Sequence, residues 1–180
     1  MSNNQEQQLV LSAIGEDRPG LVTRLSDLIK NHGGNILDSR MTVLGGEFAI
    51  LMQISAPWNA LAKLEDNLPT LEHELGLTII SKRTEDKKVI QNAMPYHVEV
   101  VSLDHPGIVH QITSFFSNQG INIQDLSTSR YQAAHTGAPL FSLNMIINVP
   151  AGKPLVSLRE QFFMLCDEHN LDVIIEPVKI

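Results

Sequence analysis

A stretch of this chain is written a second time 87 residues further on, and no other feature of the sequence limits its fold so tightly. Asp17-Arg18-Pro19-Gly20-Leu21-Val22 recurs as Asp104-His105-Pro106-Gly107-Ile108-Val109. The same offset lays Asn31 on Asn118, Gly33 on Gly120, Asn35 on Asn122, Ile36 on Ile123 and Asp38 on Asp125, giving nine identities in a gap-free window of 22 residues. Phe48, Met52 and Ile54 then match Phe141, Met145 and Ile147 at an offset of 93, so the second copy holds six extra residues within 128–139. Self-similarity over such a length means one structural unit built twice. The 180 residues accordingly divide into a first domain at 8–83, a linker at 84–94 opening with polar Thr84-Glu85-Asp86-Lys87-Lys88, and a second domain at 95–179.

Each copy reads alike. Residues 9–14 and 98–103 are short apolar runs of strand length. Leu21, Val22, Leu25, Leu28 and Ile29 then fall on one side of a helix, and Ile108, Val109, Ile112, Phe115 and Phe116 repeat the spacing. Pro19 and Pro106 suit a first helical turn, where a missing N–H costs nothing. Gly33 and Gly120 stand where a helix ends in a left-handed residue. Two strands follow, 35–44 and 47–55 hinged at Gly45-Gly46, and 122–130 and 140–149 joined by a longer loop at 131–139. That loop breaks the repeat and is a candidate partner-contact element.

A second helix carries Trp58, Leu61, Leu64, Leu68, Leu71 and Leu75, with Pro69 expected to kink or restart it; Leu155, Leu158, Phe162 and Leu165 form its counterpart. Gly76 and Asn170 are stop signals that tolerate positive φ. Last strands occupy 77–82 and 171–176. The order is βαββαβ, twice. The fold class is therefore α+β: two ferredoxin-like modules, each an antiparallel sheet with both helices on one face. The bare face of each sheet makes pairing expected, between modules or in a homodimer.

The passage from first strand to first helix is the candidate site. Asp17, Arg18, Pro19 and Gly20, and Asp104, His105, Pro106 and Gly107, put a glycine in the opening turn. Free amides there favour an anion, and glycine lets it come close. Asn35-Ile36 and Asn122-Ile123 open the next strand with a carbonyl oxygen and an amide NH₂. Together they describe a place for a zwitterion, its carboxylate on the helix mouth and its ammonium on Asn and Asp oxygens; a small amino acid fits. The bland alternative is a capped helix, with Asp as the N-cap and Asn in a turn. Arg18 pairs with a carboxylate or is a solvated loop charge; His105 donates to a ligand or merely starts a helix.

These same residues, Asp17-Arg18-Pro19-Gly20-Leu21-Val22 with Gly33-Gly34-Asn35-Ile36, and Asp104-His105-Pro106-Gly107 with Gly120-Ile121-Asn122-Ile123, resemble the ACT domain. The resemblance implies a regulatory βαββαβ module that binds amino acids at this loop and at interfaces between paired domains. A tandem pair filling most of the chain is similar to the two-copy ACT repressors of glycine cleavage. That likeness implies a cytoplasmic, glycine-sensing protein that represses the glycine cleavage operon through a LysR-type activator, releasing it when glycine binds, without touching DNA itself. The alternative is an ACT-containing regulatory subunit of an amino-acid or one-carbon enzyme, since formyltetrahydrofolate deformylases begin with a similar Asp-Arg-Pro-Gly-Leu-Val segment.

Composition enters as exclusions. Thirteen Lys+Arg against twenty Asp+Glu give a charge of −7, and the second half holds only four basic residues. Direct nucleic-acid binding draws on clustered cations that neither half has. RNA-binding modules share the βαββαβ order, but 46–52 offers one aromatic, Phe48, beside an acid, Glu47. No G-x-S-x-G, P-loop or G-x-G-x-x-G occurs, and neither do H-x₃-H, C-x₂-C or H-E-x-x-H. The expectations are no enzyme activity, no metal and no cofactor. The polar N-terminus and the lack of a ~20-residue apolar run point to no signal peptide and no membrane span. Cys166, the single cysteine, reads as a small buried hydrophobe.

Overall fold

The computed structural model describes residues 6–85, 93–134 and 136–178, and it divides into two compact units, Met1–Lys87 and Lys88–Ile180. In the first, β1 (Glu6–Glu16), α1 (Leu21–Asn31), β2 (Asn35–Leu44), β3 (Glu47–Pro57), α2 (Trp58–Leu75) and β4 (Thr78–Thr84) follow in turn. In the second, β5 (Ala93–Leu103), α3 (Ile108–Asn118), β6 (Asn122–Gln132), β7 (Pro139–Pro150), α4 (Leu155–Glu168) and β8 (Asp172–Pro177) repeat them. The sheets run β2-β3-β1-β4 and β6-β7-β5-β8, antiparallel throughout. Of the linker expected at 84–94, Thr84 belongs to β4 and Ala93 and Met94 to β5, while 86–92 lie outside the described residues.

Strand alternation builds each core. In β1 the buried residues are Leu9, Leu11 and Ala13; in β3, Phe48, Ile50, Met52 and Ile54 face the same way. Leu21, Leu25 and Ile29 of α1 and Leu61, Leu64, Leu68 and Leu71 of α2 close over them. The second core substitutes aromatics: Phe116 and Phe162 lie 4.7 Å apart, with Phe115 at 5.0 Å from Phe162. Both helices of a unit therefore cover one face of its sheet.

Both first helices stop in the same way. Gly34 N–H donates to Ile29 O and Gly33 N–H to Lys30 O, each at 2.9 Å; Ile121 to Phe116 and Gly120 to Ser117 repeat the pair at 2.9 Å. These are Schellman closures, and they need the positive φ of Gly33 and Gly120, 73° and 68°. Gly76 and Asn170 likewise take positive φ at the ends of α2 and α4.

Three expectations are corrected. Pro69 does not restart α2, which runs unbroken from Trp58 to Leu75. Pro69 lies on the exposed side while the leucine stripe is held in the core, so the missing donor faces solvent. Pro19 and Pro106 precede the helices instead of starting them. Gly20 and Gly107, at φ 93° and 97°, are the N-cap residues, and Gly20 O accepts from Arg24 N–H at 2.9 Å. The loop at 131–139 is shorter than expected, because Tyr131 and Gln132 continue the ladder to Leu140 and Pro139. The inserted residues lengthen a hairpin. Among the described residues no helix is long and apolar enough to cross a membrane.

Candidate functional site

The chain leaves β1 at Glu16 and turns through Asp17–Gly20 before α1 begins. Asp17 N–H donates to Gly46 O at 3.1 Å, so the loop is tied to the β2–β3 turn; Asp104 N–H to Pro139 O at 3.0 Å is the matching bond. Gly20 then takes left-handed backbone as the N-cap, and the first amides of α1 have no partner within the helix. No side chain caps α1, and none caps α3. The capped-helix alternative, with Asp17 or Asp104 as the N-cap, is therefore not what the chain does. In front of α1 is a cleft of about 310 Å³ lined by Asp17, Arg18, Pro19, Gly20, the first turn of α1 as far as Thr23, and Met41 and Phe48. It offers partial positive charge at the helix end and a carboxylate at the rim.

The charged neighbours of the two mouths differ. Among the described residues nothing pairs with the exposed Asp17 carboxylate. Asp104, by contrast, forms an ion pair with Arg130, Nε to Oδ2 2.7 Å, and its side chain is only 22% exposed. Arg18 lines the cleft, but its guanidinium donates to Leu75 O at the C-terminal end of α2, the negative end of that helix. His105 Nδ1 lies 3.1 Å from Pro106 O. Neither is a free cation aimed at the mouth.

Asn35 and Ile36 are not brought to this cleft, and neither are Asn122 and Ile123 to theirs. Asn35 is paired with Ser55, which faces Gln8 near the start of β1, whereas Asp17 follows Glu16 at its end. The intervening strand is about 27 Å long at roughly 3.4 Å per residue. Ile36 and Ile123 pack against the cores instead. Each is followed by a bulge, where the register jumps from Ile36 to Asp38 and from Ile123 to Asp125. Within one unit the two halves of the expected zwitterion site stand at opposite ends of the sheet.

Among the described residues no cluster of three or more His, Cys, Asp or Glu is placed to hold a metal ion. Cys166 is buried, and burial together with Asp167 pushes its thiol up to about 12. Such a thiol carries almost no thiolate at neutral pH and is a poor nucleophile.

A family model described as the ACT domain matches residues 7–82. The chain is 31% identical over 170 residues to the glycine cleavage system transcriptional repressor of Escherichia coli, covering 94% of this chain and 90% of that one. A crystal structure described provisionally as a glycine cleavage system transcriptional repressor superposes with a TM-score of 0.73 at 31% identity, covering 97% and 99% of the two chains. A protein of unknown role from Galdieria sulphuraria superposes with a TM-score of 0.79 at 28% identity, over 97% and 100%.

Proposed function

This chain belongs to the family of the glycine cleavage system transcriptional repressor, built from two ACT domains, and from that premise we propose that it is an amino-acid-responsive repressor that acts through a protein partner. The effector is a small free amino acid, glycine first. The observation that carries this reading is the uncapped mouth of α1, where a cleft of about 310 Å³ is lined by Asp17 and by the first turn of the helix. A carboxylate meets the helix end, an ammonium meets Asp17, and a cleft of this size suits a small molecule.

Asn35 joins such a site only from another domain. β2 is an edge strand, exposed from Leu37 to Leu44, with one row of backbone groups unpaired. A second copy paired antiparallel along that edge, in the register that overlaps β2 fully, would set its Asn35 opposite Leu44, beside the mouth. This is the homodimer the reading favours, and it would complete the ligand shell.

The DNA contacts belong to the partner, a LysR-type activator of the glycine cleavage operon. The charge of −7 supports that division of labour, since the chain has no concentration of cations for phosphate. A thermal-shift screen against the standard amino acids tests the proposal. A higher melting temperature with glycine or another small amino acid is the expected result. No shift with any of them, or tight salt-sensitive retention of operator DNA by this protein alone, overturns it.

A further inference from the structure

The two mouths share a backbone but not a charge. β6 places Arg130 opposite Phe141, and β2 places Val43 opposite Phe48, so positions 43 and 130 are one site in the repeated fold. In the first unit this site holds an aliphatic side chain, and Asp17 has no partner among the described residues. In the second it holds a guanidinium paired with the Asp104 carboxylate, Nε to Oδ2 2.7 Å. The carboxylate that would receive an ammonium is already engaged there, and the neighbouring charge is of the wrong sign for one.

We propose that Arg130 is the residue that makes the second unit refuse a zwitterion, so that each chain takes one amino acid, at the mouth of α1. This rests on the sensing reading above and specifies which of the two copies senses. An ammonium entering the α3 mouth must displace the guanidinium from Asp104 and then lie beside it. Like charges set close together are strongly disfavoured at a recognition site. Arg130 is 70% exposed, so little packing depends on it, and its removal should leave the hairpin intact. The duplicated chain would thereby keep one copy for the effector and free the other for its partner.

Calorimetric titration of the full chain with glycine tests this. Wild type should bind one glycine per chain. Asp17→Asn should weaken binding by roughly tenfold or more, as loss of a charged partner does. Asp104→Asn should leave that site unchanged, and Arg130→Val, the residue of the first copy, should open a second site. Two sites in wild type, or a single site lost with Asp104→Asn and kept with Asp17→Asn, overturn the inference while leaving the sensing reading in place. An Arg130→Val chain that still binds one glycine also overturns it. No heat from wild type or Arg130→Val, with glycine or with any other small amino acid, overturns both.

Discussion

The amide of Asp17 donates to the carbonyl of Gly46, 3.1 Å away, and this one bond joins the loop before α1 to the turn between β2 and β3. The turn is thereby part of the mouth, which explains why Met41 and Phe48 from the flanking strands line its cleft. The duplicate bond from Asp104 to Pro139 survives a six-residue insertion, so the second mouth keeps its frame although its hairpin is longer.

Gly20→Ala should destabilise the first unit by about 1 kcal/mol, because the N-cap sits at φ 93° and a β-carbon is disfavoured in left-handed backbone. A β-carbon there would meet nothing within 4 Å, so the loss is conformational and not steric. Asn, which tolerates this region, should recover part of it. Urea unfolding of the three proteins checks the order Gly, then Asn, then Ala.

Arg18→Ala should cost roughly 0.5 kcal/mol by uncovering the C-terminal carbonyls of α2, as loss of a cation at that end of a helix does. Arg18 donates to Leu75 from 57 residues away. The predicted loss shows as a lower urea midpoint and faster amide exchange in the last turn of α2. Unchanged exchange there would mean the contact contributes nothing.

Phe162→Ala should cost about 3–5 kcal/mol, the range for removing a buried ring. Phe162 is fully buried against Phe116 at 4.7 Å. The loss belongs to the second unit, and Trp58, the only tryptophan, reports on the first. Circular dichroism should show the early loss while tryptophan fluorescence keeps the wild-type midpoint.

Cys166 should resist alkylation in the native chain at pH 8 and react fully in denaturant. Its thiol is raised from about 9 to about 12, so the folded state holds the proton more tightly than the unfolded one. Its stabilising contribution is complete below pH 9 and is lost as pH rises from 9 towards 12. Cys166→Ala should flatten that alkaline limb of stability. An unchanged limb would show that the thiol does not contribute.

The repeat made most of the fold legible: once 17–38 and 104–125 are aligned, strand, helix and glycine stops follow from local periodicity in each copy. The site was legible in part. Asp17–Gly20 is a local loop, and local sequence specifies it. Asn35 looked like its partner because it follows closely along the chain. But α1 and the turn after it carry the backbone the length of the sheet, so nearness in sequence becomes distance in space. Arg18 to Leu75 crosses between elements, which no periodicity reports. Arg130 was visible as the one cation where the first copy has Val43, and a column-by-column comparison of the copies would have found it. The bulges at Leu37 and Gln124 leave a fainter trace, in apolar residues that fall out of alternation after Ile36 and Ile123.

On the sensing reading, a small amino acid sits on the first amides of α1. Two-dimensional ¹H–¹⁵N NMR of the full chain, titrated with glycine, tests it directly. The largest shifts should fall on Leu21, Val22 and Thr23, with Asp17 and Gly20 next and the α3 mouth little changed. Shifts centred elsewhere, or a spectrum unmoved by glycine and by every other small amino acid, would contradict it.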